Sequence, residues 1–319
     1  MKNIRKVREM ESNVDVIIPI YKVGDDFAGM LEKLYHQTKQ PKHIYLLQTI
    51  EKKNEKLFDK KVCSDGLADI ISVHPIKKAD FDHGATRAYG ALMAKSEYVM
   101  FMTQDAVCYD DYVIENLLKA FDDRKVGIAY ARQLARDDAD EVESMTRNIN
   151  YPPESRVKTK EDEKTLGIKA YFCSDVCALY RLDVYKKLGG FVKKTIFNED
   201  MIMAYKEMSA GFSVAYQADA KVIHSHSYTC RQQFVRSFDL GVSQRQYREI
   251  FDNISSEKEG AGYAKKVIVY LLKKGKIIKT FYFMMQCGFR LFGYKLGKNY
   301  EKLPKRIVLA CTMNKEYWR

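Results

Sequence analysis

Residues 98–106 have the sequence Tyr-Val-Met-Phe-Met-Thr-Gln-Asp-Ala, in which an apolar run is followed by three polar residues. A short apolar run that ends this way is typical of a fully buried strand. The segment therefore predicts a central strand over 98–102, with Gln104 and Asp105 just after its carboxyl end. In open α/β sheets, ligands bind outside the carboxyl ends of the strands, so we expect the functional residues at that edge.

Strands and helices alternate on both sides of this segment. Residues 14–19, Val-Asp-Val-Ile-Ile-Pro, predict a second buried strand, and shorter apolar runs predict strands at 43–47, 70–73 and 221–223. Apolar residues at helical spacing predict helices after Asp25, after Gly84 and over 110–121. Strands that alternate with helices of this length indicate an α/β sheet with parallel crossovers.

Residues 133–170 differ from this pattern. They are rich in charged residues, include Tyr151 and two prolines, and show no clean periodicity. Long ordered loops in compact domains are usually functional. We therefore expect this segment to cross the active-site face as a loop.

The composition is that of a folded protein. The 319 residues are 46% hydrophobic and 30% charged, which excludes a disordered or collagen-like chain. The longest apolar run near the carboxyl terminus, 267–272, falls far short of the ~20 residues that span a bilayer, and no apolar segment marks a signal peptide. The odd number of cysteines, seven, favours reduced thiols in the cytoplasm.

The net charge of +12 is concentrated in one part of the chain. Residues 262–319 hold 11 Lys, three Arg and two Glu, so residues 1–261 are neutral overall. The sequence thus predicts a body over 1–261 and a basic helical region over 262–319. A neutral body with a basic, apolar-rich tail favours an anionic membrane surface over nucleic acid as the partner.

Apolar residues and lysines interleave between positions 263 and 297. Helices of this composition carry an apolar stripe flanked by lysines, as helices that lie in the membrane interface do. We expect this region to dock the protein on the inner face of the cell membrane. The alternatives are that the stripe packs on the body or forms an interface with a second copy of the chain.

Three further patterns could carry chemistry. Asn198-Glu199-Asp200 opens a helical run, where the carboxylates either complement the helix dipole or supply a general base. His224 and His226 lie on one face of a strand and could bind a metal or a phosphate. Residues 80–87 combine a glycine turn, a helix start and Arg87, which suit a phosphate, although an ordinary capped helix has the same pattern.

The order of these motifs resembles that of the family 2 glycosyltransferases of the GT-A fold, and among them the bacterial rhamnosyltransferases that use dTDP-rhamnose. The segments that carry the resemblance are 16–21, 81–87, 101–106, 131–134, 150–152, 167–175, 188–191, 196–200, 222–229, 238–243, 293–297 and 312–318. The resemblance covers nearly the whole chain. It implies a Rossmann-like, mixed but mainly parallel sheet flanked by helices, with the basic helical region as a C-terminal extension.

The resemblance also implies roles for individual residues. Asp105 would be the remaining carboxylate of the metal-binding DxD motif, and His224 would help it to hold Mg²⁺ or Mn²⁺. Asp200 would be the catalytic base, with Glu199 placing the acceptor. The other implied contacts are to the nucleotide sugar, from Pro19, Tyr21, His83, Gly84, Arg87, Gln104 and Asp105, and to the acceptor, from Tyr151, Ser174, Asp175 and His226.

The implied reaction is an inverting transfer of L-rhamnose from dTDP-β-L-rhamnose to a hydroxyl of a lipid-linked polysaccharide precursor. Residues 47–51, Leu-Gln-Thr-Ile-Glu, lack the Asp that family members often carry there, and Ala88 stands where Asn is common. These departures leave another sugar nucleotide, such as a UDP-sugar, open as the donor. A non-catalytic scaffold of a glycan assembly complex is the other alternative.

Overall fold

The structure, a computed structural model, describes residues 12–252 and 257–319. Its described residues form one nine-stranded sheet with the strand order β3-β2-β1-β4-β8-β6-β9-β5, and β7 also pairs with β9. The strands are β1 Val14–Ile20, β2 His43–Ile50, β3 Ile71–Lys77, β4 Tyr98–Met102, β5 Val107–Cys108, β6 Val126–Leu134, β7 Arg156–Lys158, β8 Cys177–Arg181 and β9 Ser213–Ile223.

The sheet is mixed. Parallel pairs join β3 to β2, β2 to β1, β1 to β4 and β6 to β9, whereas β8 runs antiparallel between β4 and β6. Six strands (β1, β2, β3, β4, β6 and β9) therefore point the same way and end at one edge, as predicted from the alternation of strands and helices. The short strands β5 and β7 are antiparallel to β9.

Helices cover both faces of this sheet. They are α1 Phe27–Tyr35, α2 Asp65–Ile70, α3 His83–Met93, α4 Val113–Lys119, α5 Glu141–Asn150, α6 Glu163–Leu166, α7 Leu182–Lys187, α8 Glu199–Ser209, α9 Cys230–Gln246, α10 Arg248–Phe251, α11 Glu257–Lys273, α12 Ile277–Lys298 and α13 Lys305–Cys311. Because successive side chains of a strand point to opposite faces, Ile18 packs with Leu31 of α1 and Leu117 of α4. Ile17 instead faces the cluster that holds Met203 of α8.

The segment 133–170 is more regular than predicted. It holds the end of β6, helix α5, strand β7 and helix α6. The apolar residues of α5 (Val142, Met145 and Ile149) pack in one cluster with Val267 and Phe283 from the C-terminal helices. Since helices draw most of their stability from such tertiary packing, three apolar positions among charged ones were too few to predict α5.

The C-terminal helices pack closely on the body. A Cβ on Gly293 of α12 would lie 2.3 Å from the backbone oxygen of Phe234 in α9, and one on Gly297 would lie 2.0 Å from that of Phe238. The backbones of α9 and α12 therefore touch where glycine allows it. The predicted boundary after residue 261 lies inside α11.

Two simpler expectations concern the cysteines and the membrane. All seven cysteines are free thiols, as expected from their odd number. None of the helices in the described ranges combines the length and the apolar character that crossing a bilayer requires.

A carboxyl group lies in the protein core. The side chain of Glu207 in α8 is fully buried, and neither of its oxygens has a hydrogen-bond partner. A Cβ on Gly127 of β6 would lie 1.8 Å from Glu207 Oε2, so the glycine leaves the space that the carboxyl occupies. Burial raises the pKa of Glu207 to about 8, which keeps the group neutral at pH 7.

We expect the substitution Glu207→Gln to stabilise the protein at alkaline pH. Between the ordinary pKa of 4.5 and the folded value of about 8, the folded state holds a proton that the unfolded state has lost. The free energy of unfolding therefore falls with rising pH, by about 1.4 kcal/mol per pH unit from this group. In the amide variant the free energy of unfolding, measured by urea unfolding from pH 5 to pH 8.5, should not show this fall with rising pH.

Glu249→Gln, at an exposed position, is the matched control and should keep the wild-type slope. An unchanged slope in Glu207→Gln would show that the buried carboxyl does not hold the proton.

Candidate active site

The carboxyl edge of the sheet brings together residues that are far apart in the sequence. Glu51 follows β2, and Tyr21 follows β1. Next along the edge, Gln104 and Asp105 follow β4, and beyond β8 and β6 His224 follows β9. Four of the predicted nucleotide and metal residues, Tyr21, Gln104, Asp105 and His224, thus lie along one edge.

Asp105, His224 and His226 form a cluster at this edge. The distance from Asp105 Oδ2 to His226 Nε2 is 3.2 Å, and that from Asp105 Oδ1 to His224 Nε2 is 3.6 Å. The two Nε2 atoms lie 3.0 Å apart. All three potential ligand atoms fall within 4.8 Å of one another, which suits a single metal ion.

The amide of Gln133 in β6 fixes the tautomer of His224. Gln133 Oε1 accepts a hydrogen bond from Arg147 Nη1 at 2.6 Å, and arginine can only donate. The same oxygen lies 2.9 Å from His224 Nδ1, so Nδ1 carries the proton and Nε2 presents its lone pair to the cluster. Metal-binding histidines are usually oriented by such a hydrogen bond.

The protonation states also favour a cation. Burial lowers the pKa of His224, against the opposing effect of Asp105, so the imidazole is neutral at pH 7. Burial alone would raise the pKa of Asp105, but the adjacent imidazoles of His224 and His226 outweigh this effect and hold the pKa well below its usual range. A carboxylate and two imidazoles are a donor set that fits a divalent cation.

His226 and Gln133 extend the predicted metal site. The spacing of His224 and His226 allowed both to bind a metal, but the family resemblance implied Asp105 and His224 as ligands and His226 as an acceptor contact. The structure brings potential ligand atoms of all three within 4.8 Å of one another. Gln133 was not predicted at all. Its role depends on the pairing of β6 with β9, which the sequence does not show.

A cavity of about 340 Å³ opens beside this cluster. Five of the predicted residues line it: Tyr151, Ser174, Asp200, His224 and His226. The predicted base and the two histidines therefore face the same space. The unpredicted residues of its wall include Phe197 and Arg236, whose guanidinium lies 4.7 Å from the Phe197 ring centre.

Asp200 is held at the start of α8. Its Oδ1 accepts a hydrogen bond from the backbone of Met201 at 2.7 Å, and its Oδ2 accepts one from the backbone of Asp175 at 3.4 Å. Burial, reinforced by the charges of Glu199 and Asp175, raises the pKa of Asp200 well above its usual range. A carboxylate of raised pKa is a stronger base, as general-base catalysis requires.

Arg87 lies behind the cavity and not on its surface. It is 6% exposed, and its Nη1 lies 3.0 Å from Glu199 Oε1 while its Nε lies 3.7 Å from Asp175 Oδ2. Tyr180 donates a hydrogen bond to Asp175 at 2.6 Å, and burial raises the pKa of Asp175 to about 7.

These positions change three of the predicted roles. Arg87 was predicted to contact the donor diphosphate, and Glu199 and Asp175 to contact the acceptor. None of the three lines the cavity, because the two buried carboxylates pair with the buried guanidinium. They contact Asp200 from behind: Glu199 precedes it in α8, and the backbone of Asp175 donates to its Oδ2.

The backbone amides at the start of α3 already have a hydrogen-bond partner. The backbone amides of Gly84 and Ala85 both donate to Asp82 Oδ1 at 2.9 Å, so they are not free for the predicted phosphate. A Cβ on Gly84 would lie 2.2 Å from the backbone oxygen of Val192, which explains the glycine by packing. His83 is partly exposed and lies 4.0 Å from Glu199 Oε1.

Gln104 connects the ends of two neighbouring strands at this edge. Its Oε1 accepts from Tyr21 N at 2.6 Å, and its Nε2 donates to Tyr21 O at 3.1 Å, which ties the end of β1 to that of β4. Pro19, half-buried, lies two residues before Tyr21. Lys78 Nζ donates to both Tyr21 Oη, at 3.2 Å, and Glu51 Oε1, at 2.8 Å.

A basic cavity lies next to Tyr21 and Glu51. It measures about 650 Å³ and is lined by residues that follow β2 and β3 and by the end of the chain. Its charged residues are Glu51, Lys52, Lys53, Lys77, Lys78, Glu316 and Arg319. Five basic groups against two acidic ones suit an anionic ligand, and a cluster of lysines at 52–53 and 77–78 was the signal available in the sequence.

Two known proteins are similar to this chain over nearly the full length of both partners in the comparison. The chain is 34% identical to the O-antigen chain rhamnosyltransferase WbaN of Salmonella anatum, in an alignment of 319 positions that covers 95% of each chain. It is 35% identical over 317 residues, 96% of each chain, to the O-antigen chain rhamnosyltransferase RfbN of Salmonella typhimurium.

A solved structure resembles the fold. The mannosyltransferase PcManGT from Pyrobaculum calidifontis, in complex with GDP-Man and Mn²⁺, matches 91% of this chain and 88% of its own with a TM-score of 0.57 and 13% identity. The glycosyl transferase family 2 model matches residues 15–189, more than half of the chain. The chain therefore belongs to glycosyl transferase family 2 and is a glycosyltransferase with the GT-A fold.

Proposed function

We propose that this glycosyltransferase moves L-rhamnose from dTDP-β-L-rhamnose to a hydroxyl of a lipid-linked polysaccharide precursor, on the inner face of the cell membrane, with inversion to an α-rhamnoside. The observation that carries the proposal is that Asp200 and the cluster of His224 and His226 face one cavity. The names of the two relatives, both O-antigen chain rhamnosyltransferases, support the sugar.

The order of residues along the sheet edge suggests how the donor lies. The basic cavity next to Tyr21 and Lys78 would take the nucleoside and part of its diphosphate. The diphosphate would then reach Asp105, in the centre of the edge, and the sugar would enter the cavity that Asp200 lines. The acceptor hydroxyl would approach from the side of Tyr151 and Ser174.

Asp105, His224 and His226 would hold Mg²⁺ or Mn²⁺. When bound there, the cation would offset the negative charge on the departing diphosphate. The hydrogen bond from His224 Nδ1 to Gln133 Oε1 keeps the second nitrogen available for it. The convergence of three donor atoms within 4.8 Å supports this assignment.

Asp200 would remove the proton of the acceptor hydroxyl. The oxygen would attack the anomeric carbon on the face opposite the diphosphate, the bond to the diphosphate oxygen would break, and the proton would remain on the Asp200 carboxyl. The buried group of Arg87, Glu199 and Asp175 would keep this carboxyl in place. Burial and the charges of Glu199 and Asp175 raise its basicity against the opposing charge of Arg87.

Two rival functions remain testable. At Glu51 and Ala88 the chain differs from the residues that are common in the family, and these differences would fit another sugar nucleotide, such as a UDP-sugar, in the same fold. A non-catalytic scaffold is the second rival, and the shared cavity of Asp200 and the histidines argues against it.

The donor can be identified by thermal shift. Because a ligand that binds only the native state raises its apparent stability, dTDP-rhamnose with Mn²⁺ should raise the melting temperature. UDP-glucose, UDP-galactose and UDP-N-acetylglucosamine should raise it less. A shift with a UDP-sugar alone would reject the rhamnosyl donor and keep the fold, and no shift with any donor would favour the scaffold.

Asp200→Asn should separate catalysis from binding. Loss of the base should lower turnover by about 10²–10⁴-fold, while the thermal shift with dTDP-rhamnose persists. Asp69→Asn, at an exposed position, serves as the control. Turnover of Asp200→Asn at the wild-type level would contradict the assignment.

The pH dependence of the wild type gives a second test. Asp200 can accept a proton only above its raised pKa, so kcat/KM should rise with pH above the usual carboxylate range.

The metal site can be tested without turnover. His224→Ala and His226→Ala each remove one nitrogen ligand and should weaken Mn²⁺ binding, measured by electron paramagnetic resonance, by at least about tenfold. Gln133→Leu leaves all three ligands in place but removes the hydrogen bond that orients His224, along with those to Arg147, Tyr151 and Ser174. Loss of such an orienting bond costs about 10–100-fold in affinity. His36→Ala, an exposed histidine outside the site, should bind as the wild type does, and equal affinity in all variants would exclude this cluster.

A further inference from the structure

Helix α12 has two different faces. Its inner face, which includes Thr280, Phe283, Gly293 and Gly297, is buried. The outer face of α12 is the set of exposed apolar residues on the other half of the helix: Ile277, Ile278, Phe281, Tyr282, Met284, Met285, Phe289, Leu291 and Phe292. At 3.6 residues per turn these positions cover about half of the circumference over about 24 Å.

The outer face is strongly exposed. Ile278 is 87% exposed, Ile277 and Phe281 are each 71% exposed, and Phe292 is 62% exposed. Leu272 at the end of α11 extends the same surface. Contiguous apolar patches of this kind mark sites of interaction with another protein or with a membrane.

The surrounding charge distinguishes these two partners. Exposed lysines stand at both ends of the outer face, with Lys273, Lys274 and Lys279 at one end and Lys295 at the other. No Asp or Glu occurs between residues 265 and 300. A second copy that brought the same face forward would place lysines against lysines, whereas anionic phospholipids complement them.

We infer that the outer face of α12 docks on an anionic phospholipid surface, with the helix lying in the plane of the interface. The apolar side chains enter the boundary between headgroups and acyl chains, as those of amphipathic helices do. The lysines at 273, 274 and 279 extend their stems along the apolar surface and place their ammonium groups at the phosphates.

This orientation also connects the membrane to the active site. Tyr282, Gln286 and Arg290 of α12 line a cavity of about 290 Å³, and the opposite wall of this cavity contains His226 and Tyr228. The same two residues line the cavity that holds Asp200. A lipid-linked acceptor in the bilayer would therefore have a path to Asp200, a step that rests on the function proposed above.

Vesicle co-sedimentation tests the docking. The full chain should bind vesicles of phosphatidylcholine with phosphatidylglycerol at low salt, and bind vesicles of phosphatidylcholine alone much less. Because each basic residue near an anionic surface changes the partition coefficient by about fivefold, K273Q/K274Q should lower binding by about 25-fold. The matched control R124Q/K125Q removes two exposed charges on the body and should bind as the wild type does.

The apolar contribution needs a separate variant. Ile278→Ser with Phe281→Ser keeps every charge and changes only side chains that are 87% and 71% exposed, so the melting temperature should stay unchanged while binding falls at least about tenfold. Val62→Ser, at a position 63% exposed on the body, is the matched control. Asp200→Asn should bind vesicles fully, so failure of the catalytic proposal would leave this result unaffected.

Two outcomes would overturn the docking. One is the absence of binding to anionic vesicles at low salt. The other is a stable dimer in sedimentation velocity that dissociates in the Ile278→Ser, Phe281→Ser variant, since the outer face of α12 would then be an interface between two copies.

Discussion

The buried guanidinium of Arg87 holds three separate parts of the chain together. It comes from α3, and its partners are Asp175, just before β8, and Glu199, the first residue of α8. A buried ion pair that loses one partner leaves an uncompensated charge, which typically costs about 3–5 kcal/mol. The position and the raised pKa of Asp200, next to Glu199 and bonded to the backbone of Asp175, depend on this arrangement.

Much of the framework could be predicted from the sequence because it depends on local patterns. The apolar run at 98–102 is strand β4, with its predicted bounds, and Asp105 follows it at the predicted edge. Since parallel strands of one sheet end at the same edge, the strand directions place Asp105 and His224 at that edge. Their proximity does not follow from these directions, because β8 and β6 lie between β4 and β9. The family resemblance, carried by motifs along the chain, agrees with the family match and with the GT-A fold.

The parts that could not be predicted depend on contacts between distant residues. Arg87 and Asp82 belong to a sequence pattern typical of a phosphate site, but both pair with residues about 90 to 110 positions away. Arg87 pairs with Asp175, and Asp82 accepts a hydrogen bond from the backbone of Thr195. The orientation of His224 by Gln133 spans 91 positions. Helix α5 exists because the C-terminal helices cover its apolar side. No local pattern contains this information.

The two faces of α12 are under separate constraints. The inner face tolerates little variation, because any side chain at Gly293 or Gly297 would collide with the backbone of α9. Most of the outer face is exposed, so residues such as Ile278 and Phe281 can change without loosening the fold. Mutation and selection can therefore alter where in the cell such an enzyme works, by substitutions on one side of a single helix, while the active-site residues stay the same.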